Sequence, residues 1–509
     1  MSDEEVANLL DSDSPLVSIE APAGCGKTYQ GAKYANRAAA RLRSGRVLIL
    51  THTHAACSVF AKETQSERGK VEIRTIDSLI VQIATAYHKS LELPANPASW
   101  ARDNHDNGFA ELASRVRKLL SHQPMICAAL AERYPVIIGD EHQDSSPDQD
   151  SIIMAIHRAG SNLRVFGDPM QRIYGGGARA ALNADNARWE AMKSVGAYGE
   201  LDKPHRWRNG HEDLGHWILQ ARQALRDGCS IDLTGQLPDG LTVLYAENLA
   251  RTRTGYQVSS DDRNSIDQIA KADTPILILT GENGTVESLC AFWNRTIPIW
   301  EGYTREALGD LIHVANAKTG DAAGLSEAVV SFLRCVVVGF SQSSHGNRFM
   351  KEVTEGCSKV TSGKPAHIQD LGRHILREPN HIGISKCLQH LHALSKQRTP
   401  GFENIKIDYR REFRDAVRIG EFADAEEGHA EINRRRSFAR PMPPRRAIST
   451  IHKAKGLECD HTMVLPCDRQ RFSSTDYSRC KLYVALSRAK RSLTLVVSRN
   501  DPSPLFRLE

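Results

Sequence analysis

Apolar residues in the first 200 positions fall in short continuous runs, separated by longer stretches with helical spacing. The runs are PLVSIE (15–20), RVLILT (46–51), VEIRTI (71–76), PVIIGDE (135–141) and LRVFGD (163–168). Continuous apolar runs of this length indicate strands that are buried on both faces, as in a parallel sheet. The alternation of strands and helices therefore predicts a doubly wound α/β domain.

A second group of apolar runs predicts another α/β unit, with strands at 241–248, 275–281, 446–453, 461–466 and 492–498. The stretch between the second and third of these runs has helical periods and few strand-like runs. We expect it to form a mostly helical insertion. The predicted domains are 1–200, with a reduced insertion at about 85–130, then 201–303 and 445–509 as two parts of one unit, and the helical insertion 304–444.

Composition limits the possible classes of protein. The chain has 509 residues, of which 40% are hydrophobic and 25% charged, as in ordinary soluble globular proteins. No apolar run reaches the ~18 residues of a membrane-spanning helix, and the acidic N-terminus does not resemble a secretory signal, so we expect a cytoplasmic protein. The 11 cysteines form no CxxC pair and no zinc-type cluster. The net charge of +5 permits nucleic-acid binding without indicating it.

The segment APAGCGKT (21–28) lies between the first predicted strand and a predicted helix, as a phosphate-binding loop requires. Gly24 and Gly26, with Cys25 between them, allow backbone N–H groups to face phosphates. Lys27 is expected to reach the terminal phosphates, and the Thr28 hydroxyl to bind Mg²⁺. The pattern GxxxxGK[ST] has Gly at its first position, where this chain has Ala21.

The segment VIIGDEHQD (136–144) places two acids after a predicted strand, where parallel sheets bind their ligands. Asp140 is expected to hold Mg²⁺, and Glu141 to orient and deprotonate an attacking water. An acid pair after a strand is often only a solvated edge. Together with the phosphate-binding loop, it predicts hydrolysis of ATP or GTP.

Further segments resemble, in order, the motifs of the UvrD/Rep-like superfamily 1 helicases. They are THTHAA (51–56), TIDSL (75–79), DEHQD (140–144), GDPMQRIY (167–174), LDKPHRWRN (201–209), TIHKAKGLE (450–458) and YVALSRAK (483–490). The family often begins its phosphate loop with Ala, which fits Ala21. The resemblance implies two RecA-like P-loop domains with parallel sheets and small helical insertions.

The resemblance also implies roles for individual residues. Gln171 would contact the γ-phosphate of ATP, Arg206 and Arg488 would act as arginine fingers, and Glu458 would bind the ribose. The positions implied to contact DNA are Thr51, Thr53, Ser78, Tyr174, His452 and Lys455. A Thr or Ser at the end of a strand is also a common helix cap, so these last assignments have a simple structural alternative.

The chain departs from the family in several places. Residues 1–29 contain no Gln to recognise adenine, and Tyr29 follows GKT where the family commonly has Arg. Gly176 and Gly177 take the places of an aromatic residue, which in the family stacks on a DNA base, and of an Arg. Tyr174 is a possible substitute, and Trp207 is either a second one or a core residue. The run NRRRSFARPMPPRR (433–446) is either a solvated linker or a strap that contacts phosphates.

Two hypotheses on function follow from the resemblance. The first is an ATP-dependent translocase or helicase on single-stranded DNA, with 3′→5′ polarity, ATP and Mg²⁺. The second is an ATPase subunit that senses DNA or nucleotide and regulates a partner nuclease without processive unwinding. The helicase-like subunit of the Gabija anti-phage system is similar to this second case, which would make the protein part of antiviral defence. A GTPase switch is disfavoured because no guanine-recognition motif is present.

Overall fold

The computed structural model describes residues 1–64, 69–103, 107–174, 179–247, 250–252, 255–300, 306–438 and 444–508. The chain divides into two compact units. Unit 1 consists of Met1–Ala250, Gln257–Glu282 and Thr450–Glu509, and unit 2 of Arg251–Tyr256 and Asn283–Ser449. None of the helices in the described ranges is long and apolar enough to cross a membrane.

The elements are numbered in chain order through both units. The described helices, α1 to α21, are Asp3–Leu10, Lys27–Arg41, His54–Glu63, Ile76–Ala86, Pro97–Asp103, Gly108–His122, Pro124–Arg133, Pro147–Arg158, Arg179–Val195, Glu212–Arg226, Ser260–Ala270, Asn283–Phe292, Glu306–Ala317, Ala322–Val336, Asn347–Thr354, Lys364–Arg377, His381–Lys396, Arg410–Ile419, Ala425–Phe438, Ile451–Ala454 and Asp476–Leu486. The described strands, β1 to β17, are Leu16–Glu20, Val47–Thr51, Val71–Thr75, Val136–Gly139, Asn162–Gly167, Ala197–Glu200, Ile231–Asp232, Leu241–Ala246, Ala250–Thr252, Gly255–Gln257, Ile276–Thr280, Val337–Val338, Lys406–Ile407, Arg446–Thr450, Cys459–Cys467, Ala489–Ser498 and Phe506–Arg507.

The first sheet of unit 1 contains, among the described residues, six parallel strands in the order β3-β2-β4-β5-β1-β6. Strand β1 lies between β5 and β6, with Leu16 opposite Leu163 and Val17 opposite Ala197. All residues of β1, β2 and β4 are buried, as expected for a parallel sheet that helices cover on both faces. The predicted α/β fold is confirmed, and its parallel order brings the carboxyl ends of β1, β4 and β5 to one edge.

Local sequence explains the helices next to this edge. Helix α2 begins directly after Gly26, whose φ of 85° is left-handed, and it buries small side chains such as Ala35 and Ala39 against the sheet. Helix α8 begins with a capping box in which Ser146 and Gln149 satisfy each other's backbone N–H groups. Both helix starts follow strands of the sheet, so their N-termini lie near the same edge.

A second sheet in unit 1 has the parallel neighbours β11, β15, β16 and β8 in that order. These strands correspond to predicted apolar runs, and β15 and β16 extend further than the sequence pattern indicated. Strand β14 ends at Thr450, the residue at which the chain returns to unit 1. The two parallel sheets match the RecA-like architecture that the sequence predicted.

Unit 2 is mainly helical in its described residues. A short antiparallel pair joins β12 to β13, with Val337 opposite Ile407. The Arg295 side chain donates to the buried Asp408 carboxylate over 2.8 Å. The core of this unit is apolar and includes Leu308, Leu325, Val329, Phe332, Phe349, Leu371, Leu388, Leu391, Phe402 and Phe413.

A buried ionic network joins the strand ends of the first sheet. The Arg222 guanidinium, on α10, is 2% exposed and lies 2.8 Å from Asp168 and 2.9 Å from Glu200. It also pairs with Glu20, the last residue of β1. Asp168 follows β5, and Glu200 ends β6, so one cation holds three neighbouring strand ends. Removing one partner from such a buried network leaves charges without compensation.

We expect Arg222→Ala to lower the free energy of unfolding by about 3–5 kcal/mol, because it leaves buried carboxylates without their cation. Urea unfolding followed by circular dichroism measures this loss. Arg226→Ala is the matched control, since Arg226 contacts the same Glu20 and Glu200 but its side chain is 35% exposed. Equal effects of the two substitutions would contradict a special role for the buried guanidinium.

Candidate active site

The loop between β1 and α2 has the geometry of an anion cradle. Gly24 and Gly26 have left-handed φ values of 78° and 85°. A Cβ atom on Gly24 would lie 2.7 Å from the Trp207 ring, and one on Gly26 would lie 3.0 Å from the His205 ring. Both positions therefore require glycine for backbone conformation and for close approach. Between them, Cys25 is fully buried, and Ala21 at the start of the loop donates its N–H to the Gly167 carbonyl oxygen over 2.8 Å.

Lys27, the first residue of α2, points at the acids that follow β4. Its Nζ lies 3.4 Å from Asp140 Oδ1 and also pairs with Glu141. Burial opposes the charge on this lysine, but the two carboxylates outweigh burial and raise the pKa of Lys27. The sheet order thus brings together the two motifs that the sequence identified separately.

The two acids differ in their electrostatic surroundings. Burial raises the pKa of Asp140, and the neighbouring Glu141 carboxylate raises it further. Burial also opposes ionisation of Glu141, but Lys27 and then Lys455 outweigh this and hold its pKa well below the usual range. Glu141 has a left-handed φ of 53°, and Gln143 Nε2 donates to Glu141 Oε2 over 2.5 Å. Glu141 is therefore an oriented carboxylate.

The predicted sensor Gln171 is nearly buried at 5% exposure. Its Nε2 donates to Asp168 Oδ2 over 2.9 Å, and its backbone carbonyl oxygen accepts from Lys455 Nζ over 2.6 Å. Lys455 also pairs with Asp144 over 2.6 Å. Burial raises the pKa of Asp144 to about 6, against the pull of Lys455. The sequence did not predict the Lys455–Asp144 pair, because its members are far apart along the chain.

Arg206 contacts both the phosphate loop and the residues around the second sheet. Its backbone N–H donates to the Gly24 carbonyl oxygen over 3.1 Å. Its guanidinium donates to the Ser487 carbonyl oxygen over 2.5 Å and pairs with Glu458 Oε1 over 2.5 Å. The predicted arginine finger and the predicted ribose-binding acid are therefore direct partners.

Arg488 lies deeper than Arg206. Its guanidinium donates to the Val484 carbonyl oxygen over 2.9 Å and to the Leu457 carbonyl oxygen over 3.2 Å. Burial lowers the pKa of Arg488 to about 10, and the nearby Arg206 adds to this effect. Its guanidinium also donates to the Ser487 hydroxyl over 2.6 Å, so in this conformation residues next to the second sheet, rather than the phosphate loop, accept its hydrogen bonds.

Trp207 and Tyr483 pack on the phosphate loop. The sequence did not decide between two roles for Trp207 and predicted no contact for Tyr483. Trp207 is fully buried, and its Nε1 donates to the Ala489 carbonyl oxygen over 2.9 Å, so it is a core residue. The Tyr483 hydroxyl accepts from the Ala23 N–H over 2.8 Å. The tyrosine belongs to the segment YVALSRAK, but nothing in its spacing indicates a contact with Ala23.

The donor set fits a magnesium ion. Asp140 Oδ1 is buried and accepts no hydrogen bond from the described residues. The Thr28 hydroxyl follows Lys27 on the same helix, and carboxylate and hydroxyl oxygens are the ligands that Mg²⁺ prefers. In the described part of the chain no group of three or more His, Cys, Asp or Glu side chains forms a metal cluster. The ion would therefore need oxygens from the nucleotide and water as well.

Thr51 ends β2, Thr53 precedes α3 and Ser78 lies in the first turn of α4, and each hydroxyl has a local partner. Thr51 is buried, and its Oγ1 donates to the Thr53 carbonyl oxygen over 3.0 Å. The Thr53 hydroxyl caps α3 by accepting from the Ala56 N–H. The Ser78 hydroxyl donates to the Thr75 carbonyl oxygen over 2.9 Å. Their role with DNA stays a prediction.

Tyr174, His452 and Lys455 lie together. The Tyr174 side chain is 49% exposed, and its hydroxyl donates to the His452 carbonyl oxygen over 3.3 Å. The ammonium of Lys455 lies 4.9 Å from the centre of the Tyr174 ring. The glycines at 175–177 lie outside the described residues, as does much of the arginine-rich run.

Comparisons with known proteins agree with these motifs. A family model of the UvrD/REP helicase N-terminal domain matches residues 98–181, and one of the UvrD-like helicase C-terminal domain matches residues 447–496. The first range contains Asp140, Glu141 and Gln171, and the second contains His452, Glu458 and Arg488. No curated protein sequence matches the chain.

Solved structures also resemble the chain. The Pif1 helicase from Candida albicans has 10% sequence identity and a TM-score of 0.39, over 97% of this chain and 94% of its own. The Pif1 helicase from Bacteroides, in complex with ADP-AlF3 and ssDNA, has 12% identity and a TM-score of 0.35, over 100% of this chain and 94% of its own.

Cys25 gives a chemical test of the loop packing. Burial raises the pKa of its thiol to about 12, so the reactive thiolate is scarce at pH 8. We expect brief treatment of the native protein with iodoacetamide to leave Cys25 unmodified and to alkylate the exposed Cys229. Peptide mass spectrometry measures both sites in one sample, and urea-unfolded protein should be modified at both. Equal modification in the native protein would contradict the closed packing of the loop.

Proposed function

We propose, from the premise that this chain is a UvrD/Rep-like superfamily 1 helicase, that it hydrolyses ATP and uses each cycle to move along single-stranded DNA in the 3′→5′ direction. One observation supports this above the others. Arg206 hydrogen-bonds the phosphate loop through its backbone and the second-sheet region through its side chain. A change in the bound nucleotide at the loop therefore has a direct route to the second sheet.

The loop and the acids supply the parts for phosphoryl transfer. The backbone N–H groups around Gly24 and Gly26, together with Lys27, would hold the phosphates of ATP. Thr28 and Asp140 would hold Mg²⁺, which neutralises charge on the phosphate oxygens. Lys27 would exchange its carboxylate partners for phosphates as the nucleotide binds.

This exchange also tunes Glu141. Lys27 is the largest influence that keeps its pKa low. When Lys27 turns towards the phosphates, Glu141 loses the partner that contributes most to its low pKa. Gln143 still orients the carboxylate, so Glu141 can position the attacking water and accept its proton.

The arginines respond to the same event. Arg206 leaves Glu458 to stabilise charge on the transferred phosphoryl group, which frees Glu458 to bind the ribose. Arg488 stays on the Val484 and Leu457 carbonyls until the loop fills, and Gln171 reports the change through Lys455. Because the arginines belong to the second-sheet region, loss of the γ-phosphate loosens it from the loop.

Tyr174 is the best-placed described side chain for stacking on a base. Its ring is half-exposed, and Lys455 and His452 adjoin it. Stacking on an aromatic ring contributes about 1–3 kcal/mol per base and tolerates any sequence. Thr51 at the end of β2, Thr53 at the start of α3 and Ser78 in the first turn of α4 would contact the phosphate backbone of the DNA strand. These features favour single strands over duplex.

Strand separation on a 3′-tailed duplex with ATP tests this function. We expect unwinding by the wild type, and none by Lys27→Ala, which loses phosphate binding, or Glu141→Gln, which loses the base. Lys62→Ala, on the exposed face of α3, is the control and should unwind normally. ATP hydrolysis that DNA stimulates, without opening of any duplex, would reject the helicase and favour the ATPase subunit that regulates a partner nuclease.

The variant Arg206→Ala tests the proposed arginine-finger role of Arg206 separately from the binding of ATP. We expect the rate of ATP hydrolysis to fall by about 10³-fold or more, because a fixed cation in the transition state has an effect of that size. Binding of a fluorescent ATP analogue should persist, since Lys27 and the loop backbone remain. A kcat within threefold of the wild type would contradict the assigned role.

A further inference from the structure

An ammonium group without a polar partner lies beside the second sheet of unit 1. Lys481, on α21, is 9% exposed. Its Nζ makes no hydrogen bond or ion pair with the residues that the structure describes. It lies 5.4 Å from the centre of the Phe472 ring and 5.9 Å from that of Tyr477. Burying a charge is unfavourable unless a partner compensates, so this position needs an explanation.

A glycine leaves room next to this ammonium. A Cβ atom on Gly281, directly after β11, would lie 3.2 Å from Lys481 Nζ. Any larger residue there would crowd the ammonium. The hydroxyl of the preceding Thr280 is buried and also has no hydrogen-bond partner among the described residues. The Thr280 hydroxyl at the end of β11 and the nearby Lys481 ammonium on α21 thus both lack a hydrogen-bond partner among the described residues.

Nearby acids do not neutralise Lys481 by direct contact. Asp468 pairs with Arg471 over 2.9 Å, and Glu282 lies 3.7 Å from the same guanidinium. Burial lowers the pKa of Lys481, although Glu282 and Asp468 oppose the shift. Arg471 thus pairs with both carboxylates, and Lys481 has no counter-ion among the residues that the structure describes.

The ammonium adjoins the residues implied to contact DNA. Tyr477, one helical turn before Lys481, shares a 2.6 Å hydrogen bond between its hydroxyl and His452 Nε2. Its hydroxyl also donates to the Ile173 carbonyl oxygen, next to Tyr174. Tyr477 thus connects the part of α21 that carries Lys481 with His452 and with the residue before Tyr174.

We infer that Lys481, with Gly281 beneath it, binds a phosphodiester group of the single strand. The inference rests on the proposed function. An ammonium has three donors and no acceptor, so its missing partner is an acceptor, and a phosphate oxygen also supplies the missing negative charge. Lys481 would therefore contact the DNA backbone whatever the base sequence.

Fluorescence anisotropy of a labelled oligo(dT), measured over a range of salt concentrations, tests this contact. Lys481→Met keeps the packing against Phe472 and Tyr477 but removes the charge. We expect it to weaken binding of the oligonucleotide. The slope of the logarithm of the association constant against the logarithm of the salt concentration should become less steep by about 0.7, the value for one phosphate on a single strand. Lys481→Arg should restore the slope.

Lys490→Met is the matched control, because it removes an equal charge from a half-exposed lysine that pairs with Asp460. It should leave the slope unchanged. Equal slopes for the wild type, Lys481→Met and Lys490→Met would overturn the phosphate contact while leaving the proposed function intact. Failure of the wild type to bind oligo(dT) at any salt concentration would overturn both. Circular dichroism melting confirms that each variant is folded.

Discussion

A single buried guanidinium, that of Arg222, holds together the strand ends on which the candidate site is built. Glu20 immediately precedes the phosphate loop, so the loop begins from a fixed point. Asp168 binds the same cation and also orients Gln171, while its N–H donates to the Gln143 side chain that holds Glu141. Because Arg222 lies on α10, after the first sheet, later parts of the chain help to fix the loop.

Near the Arg222 network, several basic side chains that are expected to bind ATP or DNA already form ion pairs with carboxylates. Lys27 pairs with Asp140 and Glu141, Arg206 pairs with Glu458, and Lys455 pairs with Asp144. Binding of a triphosphate therefore exchanges one set of anions for another, rather than filling a site of bare charge. Such an exchange limits the electrostatic cost of the nucleotide-free state and lets each pair respond when the nucleotide changes.

Apart from β6, the sequence predicted the strands of the first sheet, their parallel arrangement and the two acids after β4, because these depend on local apolar runs and on the rules of parallel sheets. It did not predict the Arg222–Glu20 pair or the contact of Tyr483 with Ala23, each of which joins residues more than 200 positions apart. Trp207 remained ambiguous because only packing distinguishes a core ring from a stacking platform, and Lys481 has no motif that would mark it.

Movement along single-stranded DNA during ATP hydrolysis is the step on which the proposed function depends. Displacement of streptavidin from biotin at one end of an oligonucleotide measures this movement without requiring a duplex. We expect ATP-dependent release from a 5′-biotin, because 3′→5′ movement reaches that end, and much slower release from a 3′-biotin. Hydrolysis without release from either end would contradict the proposed movement.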